Sequence, residues 1–264
     1  MKIAISGKGG VGKTTLSSLL AMAYAQDGYQ VIAIDANPDA NLAMALGIPR
    51  EEAQRITPIA ELEDLIEERT GAKPGRAGGF FKLNPKVDDI PERFSATRDG
   101  IRLLVMGTVK GGGAGCVCPE SAVLRALLAH LLVGRSEVVI MDMDAGVEHL
   151  GRGTARGVDA FIIMVEPGQR SVHTALAIRR LAQDLGIRNC YVVGSKTRGE
   201  AERQFITDNL SDFPILGFMD YNPDIAEADL KGLNVYEAVP QAAHTARKMK
   251  AELERLLAQG SRDD

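Results

Sequence analysis

The sequence has little cysteine, no excess of basic residues and no long apolar run, and each absence argues against a class of protein. Three cysteines in 264 residues are too few, and odd in number, for a framework of disulfides. The net charge of −4 argues against a dedicated nucleic-acid binder. With no run of about 18 apolar residues and no leader before the first predicted strand, we expect no membrane span and no signal peptide, and so a cytoplasmic protein.

Apolar runs alternate with helical patterns along nearly the whole chain. Strands are predicted at residues 2–6, 30–35, 101–106, 137–143, 160–165, 189–194 and 214–219. Helices are predicted at residues 13–26, 58–69, 119–133, 169–185, 198–209 and 240–258. The strands are almost continuously hydrophobic, which is typical of parallel strands covered on both faces. The alternation predicts a doubly wound, mostly parallel α/β sheet of seven or eight strands with helices on both faces, forming a single domain over residues 1–264.

Residues 70–98 interrupt this alternation. The stretch is rich in glycine, proline and charged residues, and it is long for a loop. It is either a mobile lid or interface segment or an irregular excursion of the backbone, and the second interpretation is the simpler one.

The stretch GKGGVGKTTL, residues 7–16, fits two phosphate-binding patterns. Gly7, Gly9 and Gly12 match the dinucleotide-binding pattern G-x-G-x-x-G. Asp35 then ends the second strand, where an acid that binds ribose lies in such proteins. The same stretch also contains the P-loop pattern G-x-x-x-x-G-K-[ST] of nucleoside triphosphatases.

The residues after the third glycine favour the P-loop. In a dinucleotide-binding fold, a lysine directly after the third glycine has no ligand to bind. In a P-loop, Lys13 reaches the β- and γ-phosphate oxygens and the Thr14 hydroxyl holds Mg²⁺. Backbone N–H groups at the start of the helix hold the phosphates. A chance glycine-rich turn is a poor alternative, because the full pattern lies between a strand and a helix. The predicted ligands of ATP or ADP in this loop are Gly7, Lys8, Gly9, Gly10, Val11, Gly12, Lys13, Thr14 and Thr15.

Lys8 has no role in an ordinary P-loop. The stretch KGGVGKT resembles the deviant P-loop of the MinD/ParA/nitrogenase iron protein superfamily, in which the early lysine reaches the partner's phosphates across a nucleotide-sandwich dimer. Two further stretches resemble that family, DANPDAN (35–41) as switch I and DMDAGVEHLGRG (142–153) as a strand-end aspartate with switch II. The resemblance implies a homodimer, Lys8 acting in trans, and Asp142 binding a water of Mg²⁺. Without the other family motifs in the same order along the chain, Asp142 would be interpreted as a strand-end carboxylate that caps the next turn.

Switch I departs from the family pattern at one position. Relatives carry D-x-D-P, in which the second aspartate orients or activates the attacking water, whereas this chain has Asp35, Ala36, Asn37 and Pro38. An amide can bind the water but cannot accept its proton. Asn37 is either a natural variant, with Asp39 taking part of the role, or an engineered change that holds ATP without turnover, and we favour the second interpretation. The predicted catalytic residues are Lys8, Lys13, Asn37, Asp39 and Asp142.

The residues that recognise the base are less evident. Family members often carry Asn-Lys after a late strand, and here that strand ends with Ser195 and Lys196. A hydroxyl cannot form the bidentate contact of an asparagine amide, but the Lys196 stem can lie on the base. The loop at residues 219–223 can add backbone contacts. Adenine as the base therefore follows from the resemblance.

Cys116 and Cys118 form a C-x-C pair in the glycine-rich stretch KGGGAGCVCPES. Two thiolates alone make a poor site, because structural zinc takes four ligands and nickel also favours several nitrogen or sulfur donors. A symmetric dimer would supply four thiolates. The alternative is a pair of ordinary thiols. Cys190 lies in an apolar strand and is predicted to be a small buried hydrophobe.

A P-loop of this kind together with CVC and DMDAGVEHLGRG resembles the CooC family, the accessory ATPases that mature nickel-containing carbon monoxide dehydrogenase. The resemblance implies an ATP-hydrolysing homodimer that binds Ni²⁺ or Zn²⁺ through paired C-x-C motifs. It also implies nickel carbon monoxide dehydrogenase as the client.

Two other functions stay open at this point. A spatial-organisation ATPase like MinD or ParA binds membrane or DNA, but the C-terminal KMKAELERLLAQGSRDD has no aromatics and an acidic end, and the net charge is negative. We therefore expect no membrane and no nucleic-acid partner. An iron–sulfur reductase of the nitrogenase type has a second cysteine in switch II, where this chain has Asp144, Ala145 and Gly146.

Overall fold

The protein is described by a computed structural model that covers residues 1–74, 80–108, 118–133, 137–147 and 150–260. Part of the 70–98 segment, part of switch II and most of the glycine-rich stretch around the cysteine pair lie outside these ranges, and Cys116 is among them.

One sheet contains all the strands of the described residues. They are β1 (Lys2–Gly7), β2 (Val31–Asp35), β3 (Ala96–Arg98), β4 (Ile101–Val105), β5 (Val138–Asp142), β6 (Ala160–Val165), β7 (Cys190–Thr197) and β8 (Ile215–Asp220). Their order is β3-β4-β2-β5-β1-β6-β7-β8. Neighbouring strands are parallel except β3, which pairs antiparallel with β4. The predicted fold class, a mostly parallel doubly wound sheet, is therefore confirmed, and β3 is the additional edge strand.

Helices fill most of the connections between strands. They are α1 (Lys13–Gln26), α2 (Leu42–Ala45), α3 (Arg50–Ala53), α4 (Glu63–Thr70), α5 (Ile90–Phe94), α6 (Pro119–Val133), α7 (Arg152–Ala155), α8 (Gln169–Asp184), α9 (Glu200–Asn209), α10 (Pro223–Leu230), α11 (Val235–Ala238) and α12 (Pro240–Gly260), with a 3₁₀ turn at Ile59–Glu61. The described part of the 70–98 segment contains α5 and β3, so that part is not wholly irregular. None of the described helices combines the length and the apolar composition needed to cross a membrane.

Two hydrophobic clusters cover the two faces of the sheet. Successive residues of a strand point to opposite faces, so Ile3 and Ile5 enter one cluster and Ala4 enters the other. The first cluster also contains residues of α1 and α12, and the second contains residues of α6 and α8. Burial on both faces explains why β1, β2, β5 and β6 are hydrophobic almost throughout rather than alternating.

The topology gathers the predicted site at one edge of the sheet. β1 lies between β5 and β6, and β5 also pairs with β2, so that Asp35 and Asp142 are register partners at neighbouring strand ends. In open α/β sheets, ligands bind beyond the carboxyl ends of the strands, at the point where the strand order reverses. The carboxyl end of β1, from which the P-loop starts, lies at that point.

Candidate nucleotide site

The P-loop joins the end of β1 to the start of α1. Its backbone needs glycine, because Gly7, Gly10 and Gly12 all have positive φ angles and a Cβ on Gly7 would lie 2.6 Å from the carbonyl oxygen of Met164. Lys13 is buried, and its Nζ atom donates a hydrogen bond of 3.3 Å to the carbonyl of Lys8. The sequence therefore forms a tight loop with an ammonium folded back against it.

Asp142 joins the P-loop helix to switch I. Its Oδ2 atom accepts hydrogen bonds from Thr14 Oγ1 at 2.6 Å and from Asn37 Nδ2 at 2.8 Å, and its Oδ1 atom faces Ser17 Oγ at 3.3 Å. Burial raises the pKa of Asp142 to about 7, and the hydrogen bond from Thr14 opposes that rise. A nearby carboxylate, Asp35, adds to the increase in this pKa. The structure thus brings together the predicted residues Thr14, Asn37 and Asp142.

Asp35 supports the loop of switch I. Its carboxylate is fully buried, with Oδ1 accepting the backbone N–H of Asn37 at 3.1 Å and Oδ2 accepting that of Leu42 at 2.8 Å. Burial raises the pKa of Asp35 to about 6, while these backbone hydrogen bonds lower it. One carboxylate therefore fixes both ends of the loop. Asp39 is exposed on this loop, and its carbonyl accepts a hydrogen bond of 2.9 Å from Asn41 Nδ2.

Two adjoining cavities follow the P-loop. The first, here called the P-loop cavity, has a volume of about 370 Å³ and is lined by P-loop, switch I and switch II residues, among them Lys13, Asn37 and Asp39. The second, the β7–β8 cavity, has a volume of about 480 Å³ and is lined by residues at the ends of β7 and β8, by α2 and by α10. Gly12, Thr14 and Asn41 line both cavities, so the two adjoin at these residues.

The end of β7 holds the P-loop from its other side. Ser195 is buried, and its Oγ atom donates a hydrogen bond of 2.7 Å to the carbonyl of Val11. Lys196 Nζ donates a hydrogen bond of 2.6 Å to the carbonyl of Gly10, from a residue with a left-handed backbone (φ 55°). Both residues line the β7–β8 cavity, but the polar atom of each is directed to the P-loop backbone.

Sequence reasoning missed Ser17, described above, and two further contributors to this site. Ser6 Oγ accepts the N–H of Gly146 at 3.0 Å and lies 2.8 Å from the carbonyl of Asp144, so it joins β1 to switch II. Glu166, just beyond β6, lies 3.5 Å from Lys8 Nζ. Strand order was the signal that could have found them, because both lie at strand ends beside the P-loop.

Cys118 immediately precedes α6 and is partly exposed, with its Sγ atom 3.2 Å from Ser121 Oγ. Burial raises the pKa of its thiol. Its predicted partner Cys116 lies outside the described residues. Within the described ranges, His, Cys, Asp and Glu form no group of three or more that could hold a metal ion. Cys190 is half-buried rather than fully buried, because it begins β7 at the end of the sheet opposite the P-loop.

Comparisons with known proteins agree with this geometry. Residues 2–235 match the family CbiA, the CobQ/CobB/MinD/ParA nucleotide binding domain. The chain is also 47% identical over 253 residues to the carbon monoxide dehydrogenase accessory protein CooC of Rhodospirillum rubrum, covering 96% of each protein. This chain belongs to the CooC type of the MinD/ParA nucleotide-binding family. The predicted resemblance to the CooC family is thereby confirmed. The match to a nucleotide binding domain also confirms that this chain is a P-loop nucleotide-binding protein.

Solved structures of MinD proteins share the fold of this chain. A chain of the MinC:MinD cell division protein complex of Aquifex aeolicus superposes with a TM-score of 0.69 at 21% identity, covering 97% of this chain and 95% of that one. MinD of Pyrococcus horikoshii, solved in complex with Mg-ADP, gives a TM-score of 0.65 at 17% identity and 97% coverage of each chain. At these identities the likeness shows the fold alone, and it does not favour a role in spatial organisation.

Proposed function

We propose that this chain is an ATP-dependent accessory protein that delivers nickel to carbon monoxide dehydrogenase. The observation that carries the proposal is the 47% identity to CooC over nearly the full length of both proteins. The C-x-C pair at Cys116 and Cys118 supports it, because soft thiolates suit nickel and zinc.

In this proposal the P-loop cavity takes the phosphates of ATP or ADP. The loop N–H groups and the buried Lys13 ammonium bind phosphate oxygens. The donor set at the start of α1 fits Mg²⁺, because the Thr14 hydroxyl and the Asp142 carboxylate lie 2.6 Å apart and both are hard oxygen ligands. Thr14 would hold the ion directly and Asp142 through a water, and the ion would neutralise charge on the phosphates.

The adenosine would occupy the β7–β8 cavity. Because the Ser195 hydroxyl is bound to the Val11 carbonyl, we assign base contacts to the Lys196 stem and to the backbone of residues 219–223.

Asn37 would hold the attacking water without accepting its proton, so hydrolysis would be slow. Asn37→Asp should raise the turnover rate at similar nucleotide affinity, and equal rates in the two forms would assign the water to another residue such as Asp39.

Two copies would share the nucleotide and the metal cargo. Lys8 of each subunit would bind the partner's phosphates, and the two C-x-C pairs would together offer four thiolates to one Ni²⁺ or Zn²⁺. Binding of metal and of ATP would then be coupled, and by thermodynamic linkage the coupling is reciprocal.

Calorimetry of Lys13→Ala with Mg-ADP tests the nucleotide site. Binding should be lost, because Lys13 is the buried phosphate ligand. Lys86→Ala is the matched control, since that ammonium is 76% exposed and pairs only weakly with Asp88 at 3.6 Å. Binding that survives in Lys13→Ala would remove the P-loop assignment.

Metal titration with and without ATP, read together with oligomeric state, tests the cargo site. We expect one Ni²⁺ or Zn²⁺ per dimer and loss of tight binding in Cys116→Ala and in Cys118→Ala. Cys190→Ala should bind like the parent. One metal per monomer, unaffected by any of these changes, would contradict the shared site and leave Cys116 and Cys118 as ordinary thiols.

A further inference from the structure

Glu166 lies at the junction of three strands that surround the P-loop. It follows directly after β6, which pairs with β1 on one side and with β7 on the other. Its backbone N–H donates to the buried hydroxyl of Ser171 at 3.1 Å, which fixes the turn into α8. The side chain therefore emerges beside Lys8, just after β1, and beside Lys196, near the end of β7.

The carboxylate of Glu166 contacts both lysines. Its Oε1 atom lies 3.5 Å from Lys8 Nζ and its Oε2 atom 4.0 Å from Lys196 Nζ. Lys196 in turn donates to the carbonyl of Gly10. The three side chains are 30%, 41% and 48% exposed for Glu166, Lys8 and Lys196, so these ion pairs are weak and readily exchanged.

We propose that Glu166 is a positioning residue that holds the Lys8 ammonium within its own subunit and competes with the partner's phosphates for it. The inference rests on the proposed function, in which Lys8 acts in trans. A single ammonium cannot satisfy the carboxylate of its own subunit and a phosphate of the partner at full strength. Glu166 therefore raises the protein concentration at which the nucleotide-bound dimer forms, and it keeps Lys8 ordered in the monomer.

Light scattering with a saturating non-hydrolysable ATP analogue and Mg²⁺ tests this competition. Glu166→Gln should lower the dimer dissociation constant by about two- to thirty-fold, because both subunits carry the change and an exposed ion pair accounts for up to about five-fold in each. The matched control is Glu67→Gln on α4, which removes the same charge from a pair with Lys73, also at 3.5 Å. It should behave like the parent.

Glu166→Asp separates contact from charge. It keeps the negative charge but withdraws the carboxylate by one methylene from Lys8, so under the proposal it should resemble Glu166→Gln. If Glu166→Asp matches the parent while Glu166→Gln dimerises more tightly, charge alone acts and the positioning role is overturned. Equal dissociation constants in Glu166→Gln and Glu67→Gln would overturn it as well.

Hydrogen exchange in the nucleotide-free protein gives a readout that does not depend on dimerisation. The amides of residues 8–12 should exchange about two- to five-fold faster in Glu166→Gln than in Glu67→Gln. In a Lys8→Ala background, Glu166→Gln should cause no further increase in the exchange rates of these amides, because the contact between Glu166 and Lys8 is already absent. If the parent forms no dimer with nucleotide, the dimer in the proposed function is contradicted, and so is the competition between Glu166 and the partner's phosphates. Faster exchange in Glu166→Gln would still support the contact between Lys8 and Glu166. Unchanged exchange overturns that contact.

Discussion

The two flanks of the P-loop are held by different chemistry. On the flank formed by β5 and β2, the contacts converge on the buried carboxylates of Asp142 and Asp35. On the flank formed by β6 and β7, Ser195 and Lys196 donate to main-chain carbonyls of the loop, and Glu166 forms partly exposed ion pairs. We therefore expect the first flank to respond to pH, whereas the second mainly fixes the shape of the loop.

Removing the Asp142 carboxylate should have the largest effect. Burial raises the pKa of Asp142 to about 7, so in the folded, metal-free protein it holds a proton that the unfolded chain releases near pH 4. The contribution of Asp142 to the free energy of unfolding should therefore be largest at acidic pH and decline by a few kcal/mol as the pH rises from about 4 to about 7. Asp142→Asn should flatten most of this decline, measured by urea unfolding in EDTA.

A smaller decline of the same sign should remain in Asp142→Asn, because burial also raises the pKa of Asp35, to about 6. Asp88→Asn, at an exposed position, is the control and should keep the slope of the parent. A slope that is unchanged in Asp142→Asn would show that the first flank does not titrate as described.

Asn37→Asp should destabilise the nucleotide-free protein by roughly 2 kcal/mol at pH 8. The amide donates to Asp142 Oδ2 at 2.8 Å, and the substitution places a second carboxylate there. With Mg-ADP the deficit should stay about the same, because a similar nucleotide affinity stabilises the two forms equally. Thermal melts with and without Mg-ADP measure the difference.

Asn41→Asp is the matched control for that change. It makes the same chemical substitution in the same loop, but the Asn41 amide donates to the Asp39 carbonyl at 2.9 Å and not to a buried carboxylate. If Asn37→Asp and Asn41→Asp shift the melting temperature equally in both conditions, the contact of Asn37 with Asp142 does not cause the destabilisation.

On the second flank, Ser195→Ala should cost about 1 kcal/mol, because it leaves the Val11 carbonyl without its buried donor. The cost should be the same from pH 5 to pH 8, in contrast to Asp142→Asn. Ser18→Ala is the control, since that hydroxyl donates only to the Thr15 carbonyl of its own helix. Urea unfolding at both pH values checks this, and a pH-dependent cost would remove the distinction between the flanks.

Lys196→Met should have the smallest effect, below about 1 kcal/mol, because the ammonium is partly exposed and its bonds compete with water. Lys196 also has a left-handed backbone conformation, so a second variant, Lys196→Gly, tests what that conformation costs. Lys196→Gly loses the same hydrogen bond but relieves the backbone, so it should be at least as stable as Lys196→Met in urea. The reverse order would mean that the Lys196 stem contributes more than its backbone costs.

The sequence predicted the sheet and the long helices because their signals are local. Each strand except β3 coincides with an apolar run to within three residues, and α1, α6, α8 and α12 are long enough to show helical periodicity. Helices such as α2 and α11 span four residues each, which is little more than one turn and too short for a periodic pattern. The P-loop set was likewise found from adjacent residues.

The contacts that join the site are not local, and this is why the sequence did not reveal them. Ser195 was expected near the base, yet its hydroxyl binds Val11, 184 residues away in the chain. Asn37 was recognised as unusual, but its bond to Asp142 spans 105 residues. Glu166 carries no motif of its own, and its place beside Lys8 comes only from the order of β1, β6 and β7 in the sheet.

Switch I is a closed loop even before any ligand orders it. Because the Asp35 carboxylate accepts the N–H of Asn37 with one oxygen and that of Leu42 with the other, the ends of the loop cannot separate freely. The entropy lost on loop closure is therefore already lost in the folded chain, and a ligand needs to order only the middle of the loop. Since α2 begins at Leu42, any movement of the Asp35 carboxylate also displaces the first turn of that helix, which lines the β7–β8 cavity.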